Sequence, residues 1–219
     1  MTLPLGPLQR FGILGGSFNP VHVGHLSIAQ QVLNAIALEK VFFMPAQLNP
    51  HKAGDPELAP PLDRLEMCRL AVRNMKGMEV SDLELQRPGP SYTVDTARTL
   101  RAAYGPGARI FFLIGSDSLA DLPNWREVQE LLKLADFAVA DRREAPLIEA
   151  VWREVRAQLG AENEKKLRAG VVPIERVDVS STQIRMLLRQ GEKIPGYLRR
   201  DVEQYIRRKG LYGTANPKS

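Results

Sequence analysis

The alternation of short apolar runs with stretches of helical periodicity is the feature that most constrains how this chain folds. The runs at Phe11–Leu14, Val41–Pro45 and Arg109–Gly115 predict buried strands. Between the first two runs, apolar residues recur at helical spacing, which predicts a helix from about His25 to Leu38. Strands and helices in series predict an α/β protein, a doubly wound parallel sheet with helices on both faces.

The remaining segments continue this alternation. A loop is expected over residues 45–61, which hold five prolines. The other expected elements, in chain order, are a helix capped near Asp63 and ending near Met75, an extended stretch over residues 78–85, a helix capped near Thr93, a helix over residues 125–135, a strand at Phe137–Asp141, helical structure over residues 147–169 and a last strand region over residues 171–179.

Length and composition narrow the class of protein. With 219 residues, the chain is expected to form a single domain over residues 1–219, with residues 180–212 as a small C-terminal helical segment. The single cysteine, Cys68, excludes an internal disulfide framework and a cysteine-rich zinc site. The N-terminus does not resemble a signal peptide, and no stretch approaches the ~18 apolar residues of a membrane span. We therefore expect a cytoplasmic protein that does not insert in membranes.

The positive charge is concentrated near the C-terminus. Eight Lys or Arg residues stand against three Asp or Glu residues between Arg185 and Lys209, which accounts for the whole net charge of +5. This cluster indicates either a local anionic ligand or a solvated helix face. A noncatalytic nucleic-acid-binding module is the alternative from another functional class, but only 6% of residues are aromatic, which argues against a stacking surface and against nucleic acid as a partner.

Two of the three histidines lie in the stretch GILGGSFNPVHVGHL, immediately after a turn expected at Gly15 and Gly16. In a parallel sheet, ligands bind beyond the carboxyl ends of strands, where helix N-termini attract anions. His22 and His25, three residues apart, would face one side of the first helical turn, and the glycines would allow unusual φ angles and a close approach to a phosphate. Neither a Walker loop nor a dinucleotide fingerprint is present. A metal-binding pair and two purely structural histidines remain alternatives.

Two sequence signatures carry a resemblance to a known family. GGSFNPVHVGH resembles the His-x-Gly-His signature of the nucleotidylyltransferase superfamily, and SSTQIR (residues 180–185) resembles its second signature. PAQLNPHK, GPSYTVDT, FLIGSD and LPNW extend the similarity to the nicotinate-nucleotide adenylyltransferase family. The resemblance covers nearly the whole chain and is weakest over residues 142–170. It implies a Rossmann-like nucleotidyltransferase fold.

The implied reaction transfers the adenylyl group of ATP to nicotinate mononucleotide and releases pyrophosphate. By this resemblance His22, His25 and Arg185 are the catalytic residues. Mg²⁺ is expected with ATP, held mainly by nucleotide oxygens and waters, with no residue assigned as its ligand. The implied ATP-binding residues are Gly15, Gly16, Ser17, Phe18, Asn19, His22, His25, Gly115, Asp117, Ser181, Thr182 and Arg185.

The implied mononucleotide-binding residues are Lys52, Tyr92, Thr93, Trp125 and Arg126. Trp125 would stack on the pyridine ring, although a half-buried structural aromatic is the alternative, as an exposed loop lysine is for Lys52. Transfer of an adenylyl or cytidylyl group to nicotinamide mononucleotide, pantetheine phosphate or a phospho-alcohol is the alternative reaction. The sequence does not specify the oligomeric state, and a homo-oligomer stays open.

Overall fold

The computed structural model of the chain describes residues 8–50, 54–142 and 149–214. Its strands are β1 Arg10–Gly16, β2 Lys40–Pro45, β3 Met78–Val80, β4 Arg109–Gly115, β5 Asp136–Arg142 and β6 Val171–Ile174. Its α-helices are α1 Val23–Ala35, α2 Pro61–Val72, α3 Thr93–Tyr104, α4 Ser116–Asp121, α5 Val128–Leu134, α6 Glu149–Leu159, α7 Ala161–Ala169, α8 Ser181–Arg189 and α9 Arg200–Lys209.

The six strands form one parallel sheet in the order β3-β2-β1-β4-β5-β6. Alternate strand residues enter two separate buried clusters. Leu14, Phe43 and Leu113 pack with α1, α2, α8 and α9, whereas Ile13 and Phe112 pack with α3 to α7. Helices therefore cover both faces, and the predicted doubly wound parallel sheet is confirmed.

The strand order reverses between β1 and β4, and the two strands separate at this point. Their pairing runs from Arg10 opposite Arg109 to Ile13 opposite Phe112. Beyond these residues, β1 continues along β2 and β4 continues along β5. The divergence opens a crevice at the carboxyl ends of both strands, which is where ligands bind in open α/β sheets.

The C-terminal helices belong to one face of the sheet. Ile184 and Leu188 of α8, with Val202 and Ile206 of α9, lie in the same buried cluster as α1 and α2. The Tyr205 hydroxyl donates a hydrogen bond to Asp63 Oδ1 at 2.6 Å, which ties α9 to α2. The predicted C-terminal helical segment therefore packs against the sheet.

Two predictions about backbone conformation near the first signature are wrong. Gly15 and Gly16 do not form a turn, because they are the last residues of β1 and pair with Met44 and Pro45 of β2. Neither glycine has a positive φ; the left-handed residue in this region is Phe18, with φ of 48°. Hydrogen bonding to β2 keeps the glycines extended, so the chain turns only after β1 ends.

Other element boundaries also differ from the predictions. The extended stretch over residues 78–85 ends at Val80 and continues as a 3-10 helix at Leu83–Gln86. Gly160, with φ of 88°, divides the predicted helix over residues 147–169, whose first two residues lie outside the described part. The helix predicted over residues 125–135 begins at Val128, because Glu127 takes a left-handed conformation.

Two further elements end earlier than predicted. Helix α2 begins at Pro61 and ends at Val72, so Asp63 lies in its first turn, where it accepts a hydrogen bond from Tyr205, and is not the cap. Strand β6 ends at Ile174, where its pairing with Arg142 of β5 ends. Within residues 8–50, 54–142 and 149–214, no helix combines the length and apolar character needed to cross a membrane.

A substitution in β1 tests how tightly the centre of the sheet is packed. Gly12→Ala would place a methyl group 2.7 Å from Leu113 Cδ1 and 2.9 Å from Leu38 Cδ1, closer than carbons pack. Both leucines are buried, so we expect the free energy of unfolding to fall by about 1–2 kcal/mol in urea denaturation. Gly107→Ala is the control, since nothing lies within 4 Å of its new methyl group. Equal stability of the two variants would contradict this packing.

Candidate active site

A cavity of about 790 Å³ lies in the crevice between β1 and β4. Its floor is formed by the diverging ends of the two strands, including Leu14 and Leu113. The predicted site residues that line it are Gly15, Gly16, His25, Tyr92, Thr93, Gly115, Asp117, Trp125 and Arg126. Residues from both predicted half-sites, far apart in sequence, therefore share one cavity.

The glycines at the end of β1 leave the cavity floor open. Gly15 is exposed, and a Cβ built on it would meet nothing within 4 Å. A Cβ on Gly16 would make only ordinary contacts with the Phe18 ring. No protein group therefore requires glycine at position 15, so the space beside its backbone is available to a ligand.

The two histidines contact each other at the start of α1. Their ring centroids lie 3.8 Å apart, and the His22 backbone N–H donates to His25 Nδ1 at 3.2 Å. When Nδ1 of a neutral imidazole accepts a hydrogen bond, its proton is on Nε2. This contact therefore makes Nε2 the donor of His25, which lines the cavity.

His22 lies behind His25 and does not line the cavity. It is 8% exposed, and its buried Nδ1 has no hydrogen-bond partner among the described residues. Burial lowers the pKa of His22 to about 4, because the imidazolium would lose its hydration. His22 is therefore neutral at pH 7 and retains an unused polar atom beside the first signature.

The fold joins the second signature to the first. Ser180 caps α8 by accepting a hydrogen bond from the Gln183 N–H at 3.1 Å. The Ser181 hydroxyl donates to the Pro20 carbonyl at 2.9 Å, and Arg185 Nη1 donates to the Asn19 carbonyl at 3.0 Å. The N-terminal turns of α8 therefore lie beside the loop that follows β1, although none of these side chains lines the main cavity.

Arg185 is already bound by a carboxylate. Its Nε and Nη2 donate to Glu57 Oε2 at 3.2 and 3.0 Å. Arg189, one turn further along α8, donates to Glu57 Oε1. The hydrogen bonds from Arg189 and then Arg185 hold the pKa of Glu57 below its usual range. Thr182, by contrast, is exposed at the start of α8.

Two buried polar side chains fix the loop after β1. The Arg64 guanidinium, 1% exposed, donates to the carbonyls of Ala59 and Ser17 at 3.0 and 2.9 Å and to that of Gln47 at 3.2 Å. Asn19 Nδ2 donates to the Glu57 carbonyl at 2.9 Å. Ser17 and Asn19, which were predicted to bind the nucleotide, thus make backbone and side-chain contacts that shape the loop.

The opposite end of the cavity is built around the start of α3. Tyr92 precedes the first residue of this helix, Thr93, and the Arg126 guanidinium lies 4.6 Å from the Tyr92 ring centroid. Trp125 is partly buried and packs edge-on against Phe137 at 6.3 Å. The start of α3 therefore shares this end of the cavity with the Trp125 ring and the Arg126 cation, which favours an anionic group there.

The position of the Asp117 carboxylate requires glycine at position 115. It lies in the first turn of α4, and a Cβ on Gly115 would stand only 2.3 Å from its Oδ1. Any side chain at position 115 would therefore displace this carboxylate from the strand end. Glycine two residues before Asp117 thus has a steric basis, and both residues line the cavity.

Sequence reasoning missed several residues that build the site, including Glu57, Arg64 and Glu84. Glu84 is a buried acid in the cavity wall that accepts a hydrogen bond from the Thr96 hydroxyl at 2.7 Å, and burial raises its pKa. For Arg64, the sequence pattern of α2 could have indicated a buried charged residue. It shares a helical face with Cys68 and Ala71, so a charged residue stands on the buried side of α2.

Lys52 lies outside the described residues, so its predicted contact with the mononucleotide stays a prediction. Among the residues that the structure describes, no group of three or more His, Cys, Asp or Glu side chains is arranged to hold a metal ion. The described residues therefore offer no additional ligands for a metal ion bound by His22 and His25.

Solved structures share this fold. The Plasmodium falciparum nicotinic acid mononucleotide adenylyltransferase, in its complex with NaAD, superposes with a TM-score of 0.76 at 20% identity, covering 94% of this chain and 98% of that chain. At this identity the likeness shows the common architecture, which is the predicted Rossmann-like nucleotidyltransferase fold.

Sequence comparison shows the family. Residues 13–187 match the cytidylyltransferase-like family. A probable nicotinate-nucleotide adenylyltransferase of Synechococcus sp. (strain JA-3-3Ab) is 40% identical over 215 residues, 97% of this chain and 99% of the relative. The protein of that name from Geobacter sulfurreducens is 41% identical over 217 residues, 93% and 98% of the two chains. Because both relatives align over nearly their whole lengths, the chain belongs to the nicotinate-nucleotide adenylyltransferase family.

Proposed function

We propose that this chain transfers the adenylyl group of ATP to nicotinate mononucleotide, forming nicotinate adenine dinucleotide and pyrophosphate. The observation that supports it best is the single cavity lined at one end by Gly15 and His25 and at the other by Tyr92, Thr93 and Trp125. Such a cavity accommodates two ligands that meet between its ends. The family membership and the names of the relatives support the same reaction.

The chemistry requires positioning more than acid–base catalysis. The nucleophile is the phosphate of the mononucleotide, which is already anionic at neutral pH and attacks the α-phosphorus as pyrophosphate leaves. The protein has to align the two phosphates and stabilise the charge that builds on their oxygens. We propose that His25 Nε2 and the backbone at Gly15 and Gly16 bind the α-phosphate.

The remaining nucleotide contacts follow from the joined signatures. We propose that the start of α8, with Ser181, Thr182 and Arg185, binds the β- and γ-phosphates. Asp117, which is exposed at the end of β4, would contact ribose or organise the metal–nucleotide complex. Mg²⁺ would enter with ATP and supply further charge neutralisation, held by nucleotide oxygens and waters.

We assign the acceptor end to the pyridine ring and its carboxylate. The N–H groups at the start of α3 would bind the carboxylate, Trp125 would contact the ring and Arg126 would add positive charge. A neutral amide leaves such donors mispaired even though it has nearly the same shape. The buried, free Cys68 supports a reducing, cytoplasmic location; the oligomeric state and the absence of a nucleic-acid partner stay predictions.

Acceptor choice tests the proposed reaction directly. With saturating ATP and Mg²⁺, we expect kcat/KM for nicotinate mononucleotide to exceed that for the amide by about 10²-fold or more, since donors aimed at a carboxylate are mispaired by an amide. Pyrophosphate release across a panel of acceptors, including pantetheine phosphate, measures this. Trp125→Ala should raise KM for the mononucleotide and spare ATP affinity. Exclusive use of the amide, or of another acceptor, would overturn the assignment.

His25 carries the second test. His25→Ala should lower the single-turnover rate by about 10²–10³-fold, because one preorganised donor to the developing charge is lost. The melting temperature should change little, since the side chain is only partly buried. Asn34→Ala, an exposed position on the same helix, is the control. A near-wild-type rate for His25→Ala would defeat the proposed role.

His22 gives the free enzyme a pH-dependent stability. Its pKa is about 4 in the folded chain against a usual value of about 6.5, so the unfolded chain takes up the proton first. The stabilisation is complete above pH 6.5 and is lost as the pH falls toward 4, by up to about 3 kcal/mol. His22→Asn removes this dependence. Urea denaturation at several pH values should show the free energy of unfolding of the wild type falling relative to that of His22→Asn as the pH decreases from 6.5 toward 4. Parallel pH dependences of the two proteins would exclude a buried neutral His22.

A further inference from the structure

The Glu57 carboxylate accepts hydrogen bonds from two arginines of α8, the helix that carries the second signature. Arg185 and Arg189 stand four residues apart on α8, and each donates to a different oxygen of Glu57. A carboxylate held in this way uses the guanidinium donors that would otherwise bind phosphate oxygens. Among the described residues, Arg185 also donates a hydrogen bond to the Asn19 carbonyl at 3.0 Å. Arg185 therefore cannot present its fork to a phosphate while Glu57 holds it.

The charges favour exchange by a polyphosphate. Two guanidinium groups face one carboxylate, so the cluster of Glu57, Arg185 and Arg189 keeps a net positive charge. A triphosphate or pyrophosphate carries more negative charge and more acceptor oxygens than one carboxylate, so it competes well for the same donors. The ion pair between Glu57 and Arg189 is also accessible to solvent, since the Glu57 side chain is 40% exposed and that of Arg189 is 55% exposed.

The Glu57 side chain has room to move while its backbone stays fixed. Its carbonyl accepts from Asn19 Nδ2 at 2.9 Å, and its N–H donates to Asp55 Oδ1 at 2.9 Å. A second cavity of about 340 Å³, lined by Glu57, Arg189 and Tyr212, lies beside the pair. A change of side-chain rotamer can therefore release the arginines without moving the loop.

We propose that Glu57 competes with the phosphates of the nucleotide for Arg185 and Arg189 and, by taking these arginines back after transfer, promotes release of pyrophosphate. The inference rests on the proposed function, in which Arg185 binds the β- and γ-phosphates. Glu57 is then a residue that sets the affinity for long phosphate chains. Glu57 should not change the affinity for ligands that do not reach α8, such as AMP and nicotinate mononucleotide.

Binding measurements with Glu57→Gln test the competition. By isothermal titration, the variant should bind pyrophosphate and a nonhydrolysable ATP analogue about 5- to 20-fold more tightly than the wild type, because the arginines lose a charged competitor. Its affinities for AMP and nicotinate mononucleotide should be unchanged. In steady state, pyrophosphate should inhibit the variant at correspondingly lower concentration, which a merely structural contact would not produce.

Asp55→Asn is the matched control, since it removes the same charge from the same loop and, among the described residues, the Asp55 side chain accepts a hydrogen bond from the Glu57 N–H. It should leave phosphate affinity unchanged. Weaker or unaltered binding of both polyphosphates by a folded Glu57→Gln protein would overturn the proposal, as would equal tightening by Asp55→Asn. Arg185→Lys separates the two hypotheses: if it leaves the ATP analogue's affinity intact, the phosphate role of Arg185 fails, whatever Glu57→Gln shows.

Discussion

The position of β1 between β2 and β4 is the constraint on which the site depends. Parallel pairing on both sides holds β1 at the centre of the sheet, and the pairing with β4 ends at Ile13 opposite Phe112. From there the strands follow different neighbours, and the cavity opens between them. Residues at the starts of α1, α3 and α4, among them His25, Thr93 and Asp117, then line one space, so groups from distant segments converge there.

A buried hydrogen-bond network holds the loop after β1 against the neighbouring segments of the site. A guanidinium buried as deeply as that of Arg64 is costly unless its donors are satisfied, and three backbone carbonyls satisfy them. Asn19 adds contacts to the Glu57 carbonyl, the Ala59 N–H and the Tyr212 hydroxyl. The loop after β1, the proline-rich segment and the C-terminal segment are therefore held together by polar contacts as well as by apolar packing.

The charges of the site are partly neutralised by the protein's own groups. Burial keeps His22 neutral, and Glu57 neutralises part of the positive charge of α8. At the other end, Arg126 lies over the Tyr92 ring, and Glu127 pairs with it at 3.2 Å. An anionic ligand entering the cavity thus replaces interactions that the protein already makes with itself. Under the proposed function, affinity depends on the difference between the two sets of contacts.

The sequence by itself determined the alternation of strands and helices, hence the parallel sheet. Its two signatures indicated the superfamily and the motifs between them indicated the family, because apolar periodicity and short motifs are local properties of the chain. Gly15, His25 and Trp125 could be singled out from such local patterns. Only the tertiary structure decided that Gly15 and Gly16 stay extended, that His22 is buried behind His25, and that Arg185 is held by Glu57. These outcomes depend on strand pairing, burial and contacts between residues up to 128 positions apart, which no local pattern records.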